Sequence, residues 1–113
     1  MDFQDPQLIK AEIERRRYRR AKVAAQVHCE ALERKEVMVT RHVSIGGMFI
    51  DAKFPLPIES ELTVTFRLDP TGPPVTCNAK VMFSRVNTGM GIQFVDLTAE
   101  ARQLIQEFVD EVA

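Results

Sequence analysis

Five of the six residues from Arg15 to Arg20 are arginines, interrupted only by Tyr18. A guanidinium is planar and always charged. It donates paired hydrogen bonds that match phosphate oxygens and the edge of guanine, and it stacks on flat rings. More than twenty residues downstream, His42-Val43-Ser44-Ile45-Gly46-Gly47 supplies a second polar set. It offers a serine hydroxyl at a strand end and paired glycines, which permit positive φ and a tight bend where a ligand can approach the backbone. Arg16 and Arg20 lie four apart, and Ser44 and Gly47 three apart. That combination suits a small, flat, phosphate-bearing ligand better than a long duplex, because the chain has a single basic cluster.

Other chemistries are less well provided for. A nucleophile–base–orienter set needs Ser or Cys near His and a carboxylate. The only histidines are His28 and His42. His28 falls on the polar phase of a strand, as a solvated residue would. His42 and Ser44 share a strand phase, but no nucleophile-elbow pattern surrounds them. Nothing has metal-ligand spacing, and there is no Walker-type phosphate loop. An enzyme is not expected, and no metal or cofactor is implied. Cys29 and Cys77 sit inside apolar strand patterns and read as small buried hydrophobes in a reducing cytosol, without a disulfide.

The chain has 113 residues, 27% of them charged and 45% hydrophobic, with a formal net charge of −1. This is one domain with one modest core, and not a general polyanion binder. The charge is placed unevenly. Residues 1–22 carry seven basic and four acidic side chains, whereas residues 96–113 carry Arg102 against Asp96, Glu100, Glu107, Asp110 and Glu111. An anion site therefore belongs to the N-terminal part, and specific nucleic-acid binding is not expected. No segment approaches the ~20 apolar residues of a membrane span, and no signal-peptide core is present, so the expected location is the cytoplasm.

The elements that must position these residues are mostly strands. Asp5-Pro6 reads as an N-cap and N1 pair opening a short helix to about Arg15. Val23, Ala25, Val27, Cys29 and Ala31 alternate with Ala24, Gln26, His28 and Glu30 in a first, half-buried strand. Glu33 to Glu36 reads as a charged turn, and Val37 to His42 as the returning strand of a hairpin. Met48 to Asp51 follows the glycine bend. Phe54-Pro55-Leu56-Pro57 is a connection, since two prolines remove ladder donors. Leu62, Val64, Phe66 and Leu68 mark the fourth strand, and Asp69 to Pro74 a turn. Val75, Cys77, Ala79, Val81 and Phe83 share one phase of the fifth. After a turn at Asn87-Thr88-Gly89, Met90, Ile92 and Phe94 form the core side of the last. Then Leu104, Ile105, Phe108, Val109 and Val112 recur at helical spacing behind Thr98 as N-cap. Six antiparallel strands with a closing helix predict a small β-barrel.

These residues resemble the PilZ domain family. Arg16-Arg17-Tyr18-Arg19-Arg20 resembles its RxxxR motif, and His42 to Gly47 its (D/N)xSxxG motif. Gly89-Met90-Gly91-Ile92-Gln93-Phe94-Val95-Asp96-Leu97 is similar to the family's last strand and helix start. The resemblance covers roughly residues 14–110. It implies a mostly β fold: a six-stranded antiparallel PilZ-type barrel over 14–113 with a C-terminal helix from about 98, preceded by an arm or short helix over 1–13.

The function it implies is that of a bacterial cyclic di-GMP receptor and adaptor. In that family the two motif arginines, here Arg16 and Arg20, grip phosphate and guanine. His42, Ser44 and Gly47 would receive the other face of the ligand. Binding folds the arm onto the barrel, and the change is passed to an effector protein, with motility regulation among the family's outputs. Arg15, Arg17 and Arg19 are secondary candidates, equally well read as a solvated basic run, and Tyr18 reads as a packing residue. The sequence leaves open a homodimer through the exposed part of the last helix. One position departs from the motif: His42 stands where the family has Asp or Asn. A neutral imidazole accepts one hydrogen bond, whereas a protonated one accepts none and repels arginines. That substitution points to the alternative reading, a degenerate domain that binds protein without the nucleotide.

Overall fold

Period-two alternation of small and β-branched apolar side chains builds six strands, and the computed structural model closes them into a barrel. It describes residues 19–112. The short helix expected over Pro6–Arg15, and the arm over residues 1–13, lie outside the described residues. The strands are β1 (Ala21–Ala31), β2 (Arg34–Val43), β3 (Gly47–Asp51), β4 (Glu61–Phe66), β5 (Val75–Arg85) and β6 (Gly89–Phe94). Their order around the barrel is β1-β2-β3-β6-β5-β4, with every neighbouring pair antiparallel. β4 returns to β1, so among the described residues no strand edge is left to template aggregation.

The interior follows the predicted phases in most strands. Val27, Cys29 and Ala31 of β1, Leu62, Val64 and Phe66 of β4, Val75 to Val81 in alternation, and Met90, Ile92 and Phe94 are all buried. Phe66 and Phe94 stack inside the barrel with ring centroids 5.8 Å apart. The expected charged turn is narrower than its charge run. Only Leu32 and Glu33 turn, with Leu32 at φ 55°, and Arg34 to Glu36 already belong to β2. The proline segment between β3 and β4 forms no strand, as its missing donors require.

Helix α1 (Ala99–Val112) seals the barrel. Thr98 caps it: its Oγ1 accepts from the Ala101 N–H at 3.1 Å, and its carbonyl accepts from Arg102 N–H at 3.0 Å. Ala101, Ile105 and Val109, one row at i, i+4 spacing, are the buried face, with Leu104 and Phe108 packed beside them. Val112, at the end of the helix, is exposed although its spacing places it on the same side. Asp96 fixes the entry to the helix. Its two carboxylate oxygens accept from the backbone N–H of Asn78 at 2.7 Å and from its side-chain amide at 2.8 Å.

Candidate functional site

The residues singled out by chemistry gather at one end of the barrel, where β1 begins and β2 ends. Ala21 pairs with Val43, so Arg20, one residue earlier and exposed, stands at the strand end beside Ser44. The next pair is Lys22 with His42. On its other side His42 pairs with Phe49 of β3. Ala21, Val43 and Met48 are buried, and alternation therefore turns Lys22, His42 and Phe49 to the outer surface.

This outward aim is not what a regular β2 would give. Thr40 is wholly buried, and strict alternation would send His42 inward with it. Between the pairs Thr40–Ile50 and His42–Phe49, however, β2 advances two residues while β3 advances one. Arg41 is the extra residue of a β-bulge, which resets the phase. The Thr40 hydroxyl holds the bulge, donating to the Phe49 carbonyl at 2.8 Å with the His42 carbonyl 3.2 Å away. Arg41 contacts Asp51 of β3 through its guanidinium.

The Ser44–Gly47 segment is a tight turn closed by its own groups. Ser44 N–H donates to the Gly47 carbonyl at 2.8 Å, and Gly46 N–H donates to Ser44 Oγ at 3.1 Å. Phe94 N–H of β6 then bonds the Gly46 carbonyl at 2.9 Å, which docks the turn on the barrel. The glycines do not act as the sequence suggests. Among the described residues, the glycine with positive φ is Gly89, not Gly46 or Gly47. Gly47 is needed for close approach: a Cβ there would lie 1.9 Å from the Ile92 carbonyl oxygen. Ser44 is buried, and its hydroxyl serves the turn rather than pairing with His42 as a nucleophile would.

Of the arginine run, Arg15, Arg16 and Arg17, with Tyr18, lie outside the described residues. Arg19 makes an ion pair with Asp110 of α1 at 3.7 Å, both side chains well exposed. Arg19, from the end of the basic run, thus meets the acidic C-terminal helix. Lys22, absent from the sequence candidates, belongs to the same surface as His42. Its pairing depends on register, and a bulge hides register from the sequence.

The other end of the hairpin is different. A shallow cavity of about 290 Å³ is lined by His28, Cys29, Glu30, Lys35, Glu36, Val37, Thr63 and Thr65, and holds none of the candidate residues. His28 is exposed there, as its polar phase predicts. Cys29 and Cys77 are free thiols. Burial pushes each up to about 11, with Glu36 adding to the effect at Cys29 and Asp96 at Cys77. Among the described residues no group of three His, Cys, Asp or Glu side chains is placed to hold a metal ion. No helix among them is long and apolar enough to cross a membrane.

With this geometry in hand, comparison with known proteins settles the family. The sequence profile of the PilZ domain matches residues 14–111. The chain belongs to the PilZ domain family. Solved PilZ structures share its fold. The Bacillus subtilis inhibitor of motility (MotI/DgrA) superposes with a TM-score of 0.73 at 19% identity, over 86% of this chain and 51% of that one. This chain thus spans about half the length of that protein. The PilZ domain of YcgR from Escherichia coli, solved with c-di-GMP, gives 0.66 at 14% identity, over 87% and 91%. The PilZ domain of CeSA from a cellulose-synthesizing bacterium gives 0.59 at 17%, over 81% and 95%. Comparison with curated proteins finds no match.

Proposed function

We propose that this PilZ domain is a bacterial, cytoplasmic cyclic di-GMP receptor that signals to an effector protein through its N-terminal arm. Residues 1–13 would be the arm and residues 14–113 the domain. The observation that carries the reading is the register at the bulged barrel end. It sets Arg20, Lys22, His42 and the Ser44–Gly47 turn side by side on two adjacent strand ends. The YcgR structure, solved with c-di-GMP, supports the ligand class. Arg16 and Arg20 are assigned to phosphate and guanine, where bidentate charge-assisted bonds are strong. Folding the arm onto this surface changes what the domain offers a partner.

Calorimetric titration with cyclic di-GMP at neutral pH tests the reading. Saturable binding is expected. Arg16→Ala or Arg20→Ala each removes hydrogen bonds to a charged group worth about 1.5–3 kcal/mol, a loss on the order of 10- to 100-fold. No heat from the unmodified chain up to roughly 100 µM nucleotide, about −5.5 kcal/mol of binding free energy, would overturn it.

A second reading is favoured by His42, which occupies the Asp/Asn position of the motif beside Lys22. It is a nucleotide-independent protein-interaction module. A partner captured equally by the unmodified chain and by the Arg16→Ala/Arg20→Ala variant, without nucleotide, is its expected signature. His42→Asp separates the two readings. A carboxylate there accepts two hydrogen bonds and faces the Lys22 cation, so a gain of about tenfold in nucleotide affinity is expected for an intact receptor site.

A further inference from the structure

We propose that Phe49 is a base-stacking platform, flanked by Phe83, on which one guanine of the nucleotide lies next to His42. This rests on the receptor reading and names residues that neither sequence motif contains. A row of cross-strand partners crosses the barrel exterior. Lys22 pairs with His42, His42 with Phe49, Phe49 with Gly91, and Gly91 with Phe83. The row runs from β1 to β5 through β2, β3 and β6.

Two bulges aim this row outward. One is at Arg41 and turns out His42. The other is in β5, which advances two residues between Val81–Ile92 and Phe83–Gly91 while β6 advances one. Met82 is the extra residue. Phe83 shares its sequence phase with Val75, Cys77, Ala79 and Val81, and alternation alone predicts it in the core with them. The bulge instead puts it on the surface, 46% exposed. A large aromatic held in water forgoes the stabilisation of burial, and bulges of this kind recur where a side chain is re-aimed for binding.

The glycines of β6 shape the platform. Cε1 and Cζ of Phe49 lie 2.8 and 3.0 Å from where a Cβ on Gly89 would be, and Cδ2 lies 4.0 Å from one on Gly91. The ring thus lies across a trough left by two missing side chains, and Phe83 leans beside it at 42° with centroids 6.2 Å apart. The ring covers β6 at these glycines and stays partly exposed on the barrel exterior. A purine placed there has His42 as its neighbour on one side and Phe83 on the other. A ring that merely covers strand glycines would be packing alone, and two substitutions at this position tell these apart.

The chain contains no tryptophan, so Phe49→Trp introduces a single fluorescent reporter that keeps a π face. Its emission is expected to be quenched as cyclic di-GMP saturates, with nucleotide affinity retained. Phe49→Leu keeps apolar cover over Gly89 and Gly91 but removes the π face. It is expected to lose affinity on the order of 10- to 100-fold, with an unfolding temperature within a few degrees of the unmodified chain. Unquenched emission from the Phe49→Trp variant at saturating nucleotide, or a folded Phe49→Leu variant that binds like the parent, overturns the platform while leaving the receptor reading intact. Failure of the unmodified chain to bind overturns both.

Discussion

A methyl group on Gly47 would overlap the Ile92 carbonyl oxygen, which is backbone and cannot swing aside. Gly47→Ala is therefore expected to destabilise the domain by about 1–3 kcal/mol, the usual range for overpacking, read as a lowered denaturant midpoint. A variant of unchanged stability would contradict the close approach of β3 to β6. The same variant is a poor probe of ligand binding, because fold and site change together. Arg20 is a better one: it is exposed and stands at the barrel end. His42 lies between, outward-facing but half-buried against its neighbours on β1 and β3. Its substitution by Asp leaves the Thr40 hydroxyl, which holds the bulge, untouched.

Among the elements, α1 is the one whose contribution is easiest to isolate. Ile105 is fully buried at the middle of its apolar row. Ile105→Ala is expected to cost about 2–5 kcal/mol, since a cavity is added to the lost transfer free energy. Thermal or urea unfolding measures this, and a loss below about 1 kcal/mol would mean that the helix does not seal the core. The ends of α1 behave differently. Its last turn carries Asp110 and Glu111 with no basic residue, which opposes the helix dipole. Arg19 offsets this through its contact with Asp110, but an exposed pair of this kind is worth at most about 1 kcal/mol.

For the whole molecule, the buried thiols set a limit at alkaline pH. Cys29 and Cys77 are each raised from an ordinary 9.0 to about 11. Between those values the unfolded chain releases both thiol protons while the native barrel keeps them. The native state then binds more protons, and stability falls as pH rises from about 9 through 11. It is fully present below about pH 9. Unfolding temperatures measured across that window should decline less steeply in a Cys29→Ala/Cys77→Ala variant, and an equal slope would show that other groups govern the alkaline limit. The thiols face the barrel interior, so slow alkylation at neutral pH follows from the same burial.

Much of this molecule was determined by local pattern. Alternation in β1, β4 and β6, the prolines at 55 and 57, the Thr98 cap and the i, i+4 row of α1 each depend on neighbours in sequence, and each is legible there. So is the arginine run, as chemistry. The paired segments needed more. Two inserted residues, Arg41 and Met82, reset the phase of β2 and β5, and nothing in their identity announces a bulge. Tertiary pairing alone decided that His42 and Phe83 point outward, that Lys22 and Phe49 join His42, and that Gly47 is required by its neighbour across the sheet rather than by its own φ. The physical reason is that alternation is a property of one strand, whereas the surface facing a ligand is a property of register between strands.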